Sequence, residues 1–332
     1  MNNENLDEKL VDSSRNGDYD NVKLLIEAGA DINYDNDKPL CVAANEGHLA
    51  IIKLLFECGA DICACTNHVI NAAAKKGYYE IVKYALENGA DIHVDNDRPL
   101  EWSVYNGHYD VVKLLLEAGA NVNAPDNNVI FYATGGGYFS IVKLLLEYGA
   151  KLYANDLIAT INYDRPDILR LLLDAGAKIN NNDISMINLW ISSNKASYYE
   201  TFKILLEYDI NINAANNHLL RMSSKHGDFA VVKLLIENGA DIHAKHDEAF
   251  LLSIEYNHYD VALFLLQNGA NMHANDDQAL RMAIQHEYFN IIKLLLENGA
   301  DPRVINDWRI ELKNQDLINL LLQYGIYINI VN

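Results

Sequence analysis

Apolar residues recur along this chain in short clusters of one shape. Segments such as Ile51-Ile52-Lys53-Leu54-Leu55 and Val111-Val112-Lys113-Leu114-Leu115-Leu116 cover a broad helical stripe. Lys53 and Glu57, or Lys113 and Glu117, fall four apart outside that stripe. This predicts a helix packed on one side and wet on the other. A Gly-Ala pair follows each cluster, at Gly29-Ala30, Gly59-Ala60, Gly89-Ala90, Gly119-Ala120 and Gly149-Ala150, then at Gly239-Ala240, Gly269-Ala270 and Gly299-Ala300. Within each run the pairs stand thirty residues apart. Glycine just past a helix end adopts the left-handed conformation without a Cβ penalty, so it marks the stop.

A polar tip comes next, such as Asp35-Asn36-Asp37 or Asn275-Asp276-Asp277. Its Asp and Asn residues are suited both to turn the chain and to cap the next helix. Pro39 and Pro99 then fall in a first helical turn, where a missing N–H costs nothing. The helix carries small residues at one matched position (Ala43, Ala73, Ser103, Ala133, Ser223, Ser253, Ala283), which lets neighbouring helices approach closely. It ends in a turn such as Asn106-Gly107-His108. Each unit is therefore turn, short helix, tight turn, longer helix.

Pro39-Leu40, Ala43-Ala44, Gly47-His48, Ile52-Lys53-Leu54-Leu55 and Gly59-Ala60-Asp61-Ile62 resemble the ankyrin repeat element for element. The resemblance covers almost the whole chain and implies an all-α helix-turn-helix solenoid of about eleven units. Two departures stand out. The units are three residues shorter than the usual ~33, with the loss in the finger, so short finger loops are expected in place of β-hairpins. The Thr-Pro-Leu-His signature is eroded to Lys38-Pro39-Leu40-Cys41 or Arg98-Pro99-Leu100-Glu101. This clipped, Asn- and Tyr-rich form is similar to the ankyrin repeats of giant DNA viruses of amoebae.

One solenoid is expected over 1–332, with a polar N-terminal cap unit (1–33), regular repeats (34–153), irregular repeats (154–213), regular repeats (214–303) and a C-terminal cap unit (304–332). Gly149 to Gly176 spans 27 residues, and Gly176 to the equivalent Asp209 spans 33. The loss falls near Asn155-Asp156-Leu157 and the gain near Ser192-Ser193-Asn194-Lys195. Together they restore two thirty-residue units.

With 46 acidic and 26 basic residues the formal charge is −20, a field that repels phosphate backbones and argues against nucleic acid as partner. No apolar run approaches the ~18 residues of a membrane span, and the N-terminus lacks the pattern of a signal peptide. Four cysteines in 332 residues make no disulfide framework. A cytoplasmic location is expected, in the host cell if the protein is viral. The charge and the polar first cap point to a monomer.

The catalytic motifs sought are missing: no phosphate loop, no H-E-x-x-H, no G-x-S-x-G. No enzyme, cofactor or metal site is expected. Gly135-Gly136-Gly137 reads as a loosened inter-helix turn, and Cys63-x-Cys65 with His68 reads as small thiols in a polar slot before the finger. The in-register histidines (His48, His108, His258; His93, His243, His273) read as structural hydrogen-bonders.

By the resemblance, a partner protein would meet the loop tips and the outward face of the first helices. Those slots hold Arg98, Glu101, Trp102, Tyr105, Phe131 and Tyr132 in units four and five, aromatics beside arginine being common in interface hot spots. Units eight to ten present Arg221, Lys225, His226, Arg281 and His286, with Met222 and Met282 between them. That basic strip suggests an acidic ligand. The competing reading is that the aromatics and methionines pack between first helices. The function implied is a non-enzymatic adaptor or decoy. An alternative is capture of a nucleotide or metabolite at the irregular units 154–213.

Overall fold

The computed structural model describes residues 3–62, 64–125, 128–178, 180, 198–208, 210–305 and 314–325. Among the described residues there are 20 α-helices, one short 3-10 helix (Pro302–Ile305) and no strand. The chain divides into two compact units, Met1–Ala159 and Thr160–Asn332.

In the first unit the first helices of the repeats are α1 (Asn3–Asn16), α3 (Tyr34–Glu46), α5 (Ala64–Lys76), α7 (Val94–Tyr105) and α9 (Val129–Gly136). Each packs on the next. Each is followed by its second helix: α2 (Tyr19–Glu27), α4 (Leu49–Glu57), α6 (Tyr79–Glu87), α8 (Tyr109–Glu117) and α10 (Phe139–Glu147). The boundary between the units falls within α11 (Ala154–Asn162). The second unit continues with α12 (Pro166–Asp174), α13 (Tyr198–Glu207), α14 (Ala214–His226), α15 (Phe229–Glu237), α16 (Ala244–Glu255), α17 (Tyr259–Gln267), α18 (Ala274–Gln285), α19 (Phe289–Glu297) and α20 (Gln315–Gln323). There α14 packs on α16 and α16 on α18, while α13, α15, α17 and α19 form the neighbouring row.

The apolar stripe of each repeat is the core. Leu40, Ala43, Ala44, Ile51, Ile52 and Leu55 are all buried, and so are Leu100, Val111, Val112 and Leu115. Full burial of each large aliphatic side chain is worth about 1.5–3 kcal/mol. The matched small position is sealed, Ala43, Ala73, Ser103, Ala133, Ser223, Ser253 and Ala283 all having no exposed surface. The second helices stop as expected. Gly29 is left-handed (φ +89), its N–H returns to the Ile26 carbonyl at 3.0 Å, and the Ala30 N–H returns to Leu25 at 3.0 Å.

The finger is shorter than a hairpin and takes an unusual form. Asp35, Asn36 and Asp37 all lie in the left-handed region, and so do 95–97, 215–217, 245–247 and 275–277, with φ between +49 and +59. Asn and Asp tolerate this conformation better than other non-glycine residues. The right-handed helix starts only after the tip, so Pro39 and Pro99 do fall in its first turn. The irregular unit dispenses with the tip. In α11 the helix follows Tyr153 directly, and the buried Asp156 carboxylate accepts the Tyr153 N–H at 2.7 Å. Three residues are lost because that left-handed turn is missing. Asp164 (φ +50) then stands where other units have the turn glycine. The compensating gain near 192–195 and the cap position Asp209 lie outside the described residues.

Candidate protein-binding surface

In the first compact unit, α5, α7 and α9 bring Lys75, Trp102, Tyr105, Phe131 and Tyr132 together. The rings meet edge to face: Trp102 with Tyr105 at 6.1 Å, Tyr105 with Tyr132 at 5.6 Å, and Phe131 with Tyr132 at 6.1 Å between centroids. Such pairs add about 0.5–1.5 kcal/mol each beyond the area they bury. The Lys75 ammonium sits over the Trp102 ring at 4.4 Å, a cation–π contact that fixes the indole face. Burial pushes the Tyr132 phenol above its ordinary range, and the neighbouring Glu101 carboxylate, to which it is hydrogen-bonded, pushes further. Tyr105 remains 56% exposed and Phe131 36%. Trp102 and Tyr132 are half-buried. The cluster is thus both packing and surface: its inner rings hold adjacent helices, and its outer rings face solvent. Arg98 is exposed, 4.0 Å from Asp95 of its own finger.

The basic strip of the second unit is arranged differently from its sequence slots. Arg221 is buried, and its guanidinium is used internally. It donates to the Asn216 carbonyl at 3.0 Å, the Ala215 carbonyl at 3.4 Å and the Glu248 carboxylate at 3.0 Å. Arg281 likewise donates to the carbonyls of Asn275 and Asp276. Lys225 lies over the Tyr256 ring at 5.1 Å, and His286 stacks on Tyr288 at 5.3 Å. Burial lowers the His226 pKa, with Lys225 and His258 adding to the effect, so the neutral ring is favoured. Two of the five basic side chains of that strip, Arg221 and Arg281, therefore act as clasps on the finger turns. The stretch 154–213 includes 181–197, outside the described residues.

A family model described as three copies of the ankyrin repeat matches at residues 9–66, 64–126, 157–246 and 219–306. This chain belongs to the ankyrin-repeat family. No curated protein matches it. No helix among the described residues of this ankyrin-repeat chain is long and apolar enough to cross a membrane.

The repeat-to-repeat bonds of this ankyrin array answer the eroded signature. The third residue of the finger tip reaches across its own unit to the turn that follows the second helix. Asp97 accepts the Asn121 N–H at 2.8 Å, Asn217 the Asp241 N–H at 2.9 Å, and Asp247 the Asn271 N–H at 2.8 Å. Asp7 in α1 does the same for Asp31 at 2.7 Å, and it is buried although it belongs to the polar N-terminal cap unit. His93 and His243 each donate Nδ1–H to the same carboxylates at 3.0 Å, and His273 to Asp277. A second row links the helix turns. His48, His108 and His258 donate Nε2–H to the carbonyls of Arg15, Lys75 and Lys225, at 2.9, 3.0 and 2.9 Å. These rings lie directly over the turn glycines of the preceding units. The sequence signal for both rows was present in the recurrence of Asp/Asn and His at fixed offsets, but their bonding partners stand 24 and 33 residues away.

Two smaller expectations end here as well. Gly135 and Gly136 lie at the end of α9, with Gly137 as its left-handed C-cap and the Tyr138 ring against Gly136. The triplet is a turn beneath a ring. Cys63 and the side chain of Cys65 lie outside the described residues, and His68 bonds Asn45 at 2.8 Å.

Proposed function

We propose that this ankyrin-repeat chain is a non-enzymatic protein-interaction scaffold, an adaptor or decoy, that holds its partner against the first-helix and finger face. The observation that carries this reading is the aromatic cluster of Trp102, Tyr105, Phe131 and Tyr132, edged by Arg98 and Glu101. Rings fixed by packing yet half open to solvent offer contact area at little entropic cost, the property that makes aromatics dominate interface energetics. Within the second unit, Lys225, His226 and His286 stand at the corresponding first-helix positions, while Arg221 and Arg281 shape the fingers there. The clipped, Asn- and Tyr-rich units support a viral protein acting on a host or viral partner in host cytoplasm. Affinity purification from the native host with wild-type bait, compared with a Trp102→Ala/Tyr132→Ala bait of unchanged helical signal, tests the site. Hot-spot aromatics contribute about 2 kcal/mol or more, so partners should be depleted at least ~30-fold. Undiminished recovery of every partner would refute the central site.

A further inference from the structure

Two finger tips of the second unit are clasped by an arginine six residues on. Arg221 reaches back to Ala215 and Asn216, and Arg281 to Asn275 and Asp276. A guanidinium suits this position because its flat fork presents several donors at once, enough for two carbonyls and a side-chain acceptor. In unit eight that third acceptor is Glu248 of the following repeat.

Unit nine lies between these two and has the same left-handed tip, Lys245, His246 and Asp247 at φ +52, +57 and +59. Its clasp position is Leu251, six residues past Lys245, which has nothing to donate. Beside it lies an open groove of about 480 Å³, lined among others by Lys245, His246, Leu252, Glu255, Gln278 and Met282. The groove offers what the clasped units use internally. The tip backbone of Lys245 and His246 is in the position of the carbonyls that Arg221 and Arg281 hold. Gln278, thirty residues past Glu248, brings a side-chain carbonyl to the register of the third acceptor; it accepts from the Asn275 amide at 3.2 Å and keeps a second lone pair. Leu252 and Met282 provide an apolar bed for a side-chain stem. Lys245 is 3.6 Å from Glu248, which also takes Arg221, so the resident cation is already paired. Glu255 is the exposed carboxylate on the lining.

We propose that this groove is an arginine slot: a partner protein inserts an exposed arginine whose guanidinium takes the place that Arg221 and Arg281 occupy in the flanking repeats. The proposal rests on reading the chain as a protein-binding scaffold and specifies the partner's chemistry at one point. The chain's net charge of −20 favours a cationic side chain there. Lysine fits less well, since one compact ammonium does not reach the two carbonyls and the side-chain acceptor together, as Arg221 does through three nitrogens.

The test uses the full chain and a fluorescein-labelled, end-blocked heptapeptide, Gly-Ser-Leu-Arg-Leu-Ser-Gly, with citrulline and lysine versions, read by fluorescence anisotropy. Citrulline keeps the shape and removes the charge. The arginine peptide should bind, and the citrulline peptide should bind about tenfold or more weakly. In the Leu251→Arg variant the protein's own guanidinium should fill the slot and abolish binding, with helical signal and thermal midpoint kept. Arg221 is buried at the equivalent position, so the substitution has a precedent in the fold. If Leu251→Arg loses its helical signal, Gln278→Arg fills the slot from the opposite wall and should have the same effect. No measurable binding of the arginine peptide, equal binding of the citrulline peptide, or full binding to the filled variant would each overturn the slot. Those outcomes leave the aromatic site standing, because its bait comparison involves residues of the other compact unit.

Discussion

Gly77 and Gly89 belong to one repeat and are both left-handed, with φ +78 and +90, yet only at Gly77 does a neighbour's ring occupy the space of a Cβ. A Cβ built at Gly89 meets nothing within 4 Å, whereas at Gly77 it lands 2.6–2.8 Å from the His108 ring. That ring is the one bonded to the Lys75 carbonyl at 3.0 Å. Alanine in the left-handed region costs about 1–2 kcal/mol, and at Gly89 this is the whole penalty. At Gly77 the ring must also move. It then gives up its hydrogen bond, worth about 1 kcal/mol, and its contact over the turn, for a total of roughly 2–4 kcal/mol. Urea unfolding followed by far-ultraviolet circular dichroism measures both variants. Repeat arrays do not always unfold in a single step, so amide exchange around Lys75 and His108 should accompany it. His108→Ala provides the control: with the ring gone, Gly77→Ala should cost no more than Gly89→Ala. Equal losses at Gly77 and Gly89 in the presence of His108 would refute the reasoning. So would a Gly77→Ala penalty that survives removal of the ring.

Four further variants probe the other buried polar contacts of the array. Asp97→Ala strands the Asn121 N–H and should cost about 1–3 kcal/mol with faster exchange at Asn121. Asp97→Asn should cost about 1 kcal/mol or less, since Asn217 already fills that role at 2.9 Å in unit eight. Arg221→Lys replaces a three-way clasp by one ammonium and should lose about 1–3 kcal/mol in urea unfolding, with exchange at 215–217 accelerated; a neutral result would show that the clasp is incidental. Burial pushes the Asp156 carboxyl above its ordinary 3.8, with the Tyr153 N–H and the Asn128 side chain opposing. The folded state therefore binds that proton more readily, and its contribution to stability is complete below 3.8 and lost as pH rises through the raised value. Wild type should gain on Asp156→Asn as pH falls from neutral towards 4, and a pH-independent difference between the two would refute the assignment.

Much of the frame was legible from local rules. The thirty-residue spacing of Gly29-Ala30 and its successors, the stripe of Ile51, Ile52 and Leu55, and the sealed position of Ala43 and Ser103 each follow from helix periodicity and glycine's conformational freedom. They were found where they were expected. The three-residue loss near Asn155-Asp156-Leu157 was also visible, although only the coordinates identify it as a missing left-handed tip. The aromatics of units four and five could be named from their register, but not their division into inner and outer rings. That division depends on how far α7 and α9 cover one another.

Sequence alone determined the repeat, its helices and its stops, because those depend on side chains and backbone within a few residues of each other. Tertiary structure decided what each polar side chain is for. His108 bonds to a group in the preceding repeat, 33 residues away, Asp97 to one 24 residues on, beyond the second helix of its own repeat, and Arg221 spends its guanidinium on the tip of its own finger and on Glu248. A charge read as free in the sequence is free only if no backbone carbonyl lies within reach. In a stacked array the packing of one repeat on the next sets that reach, and it is why a leucine at position 251 leaves an opening where its neighbours carry an arginine.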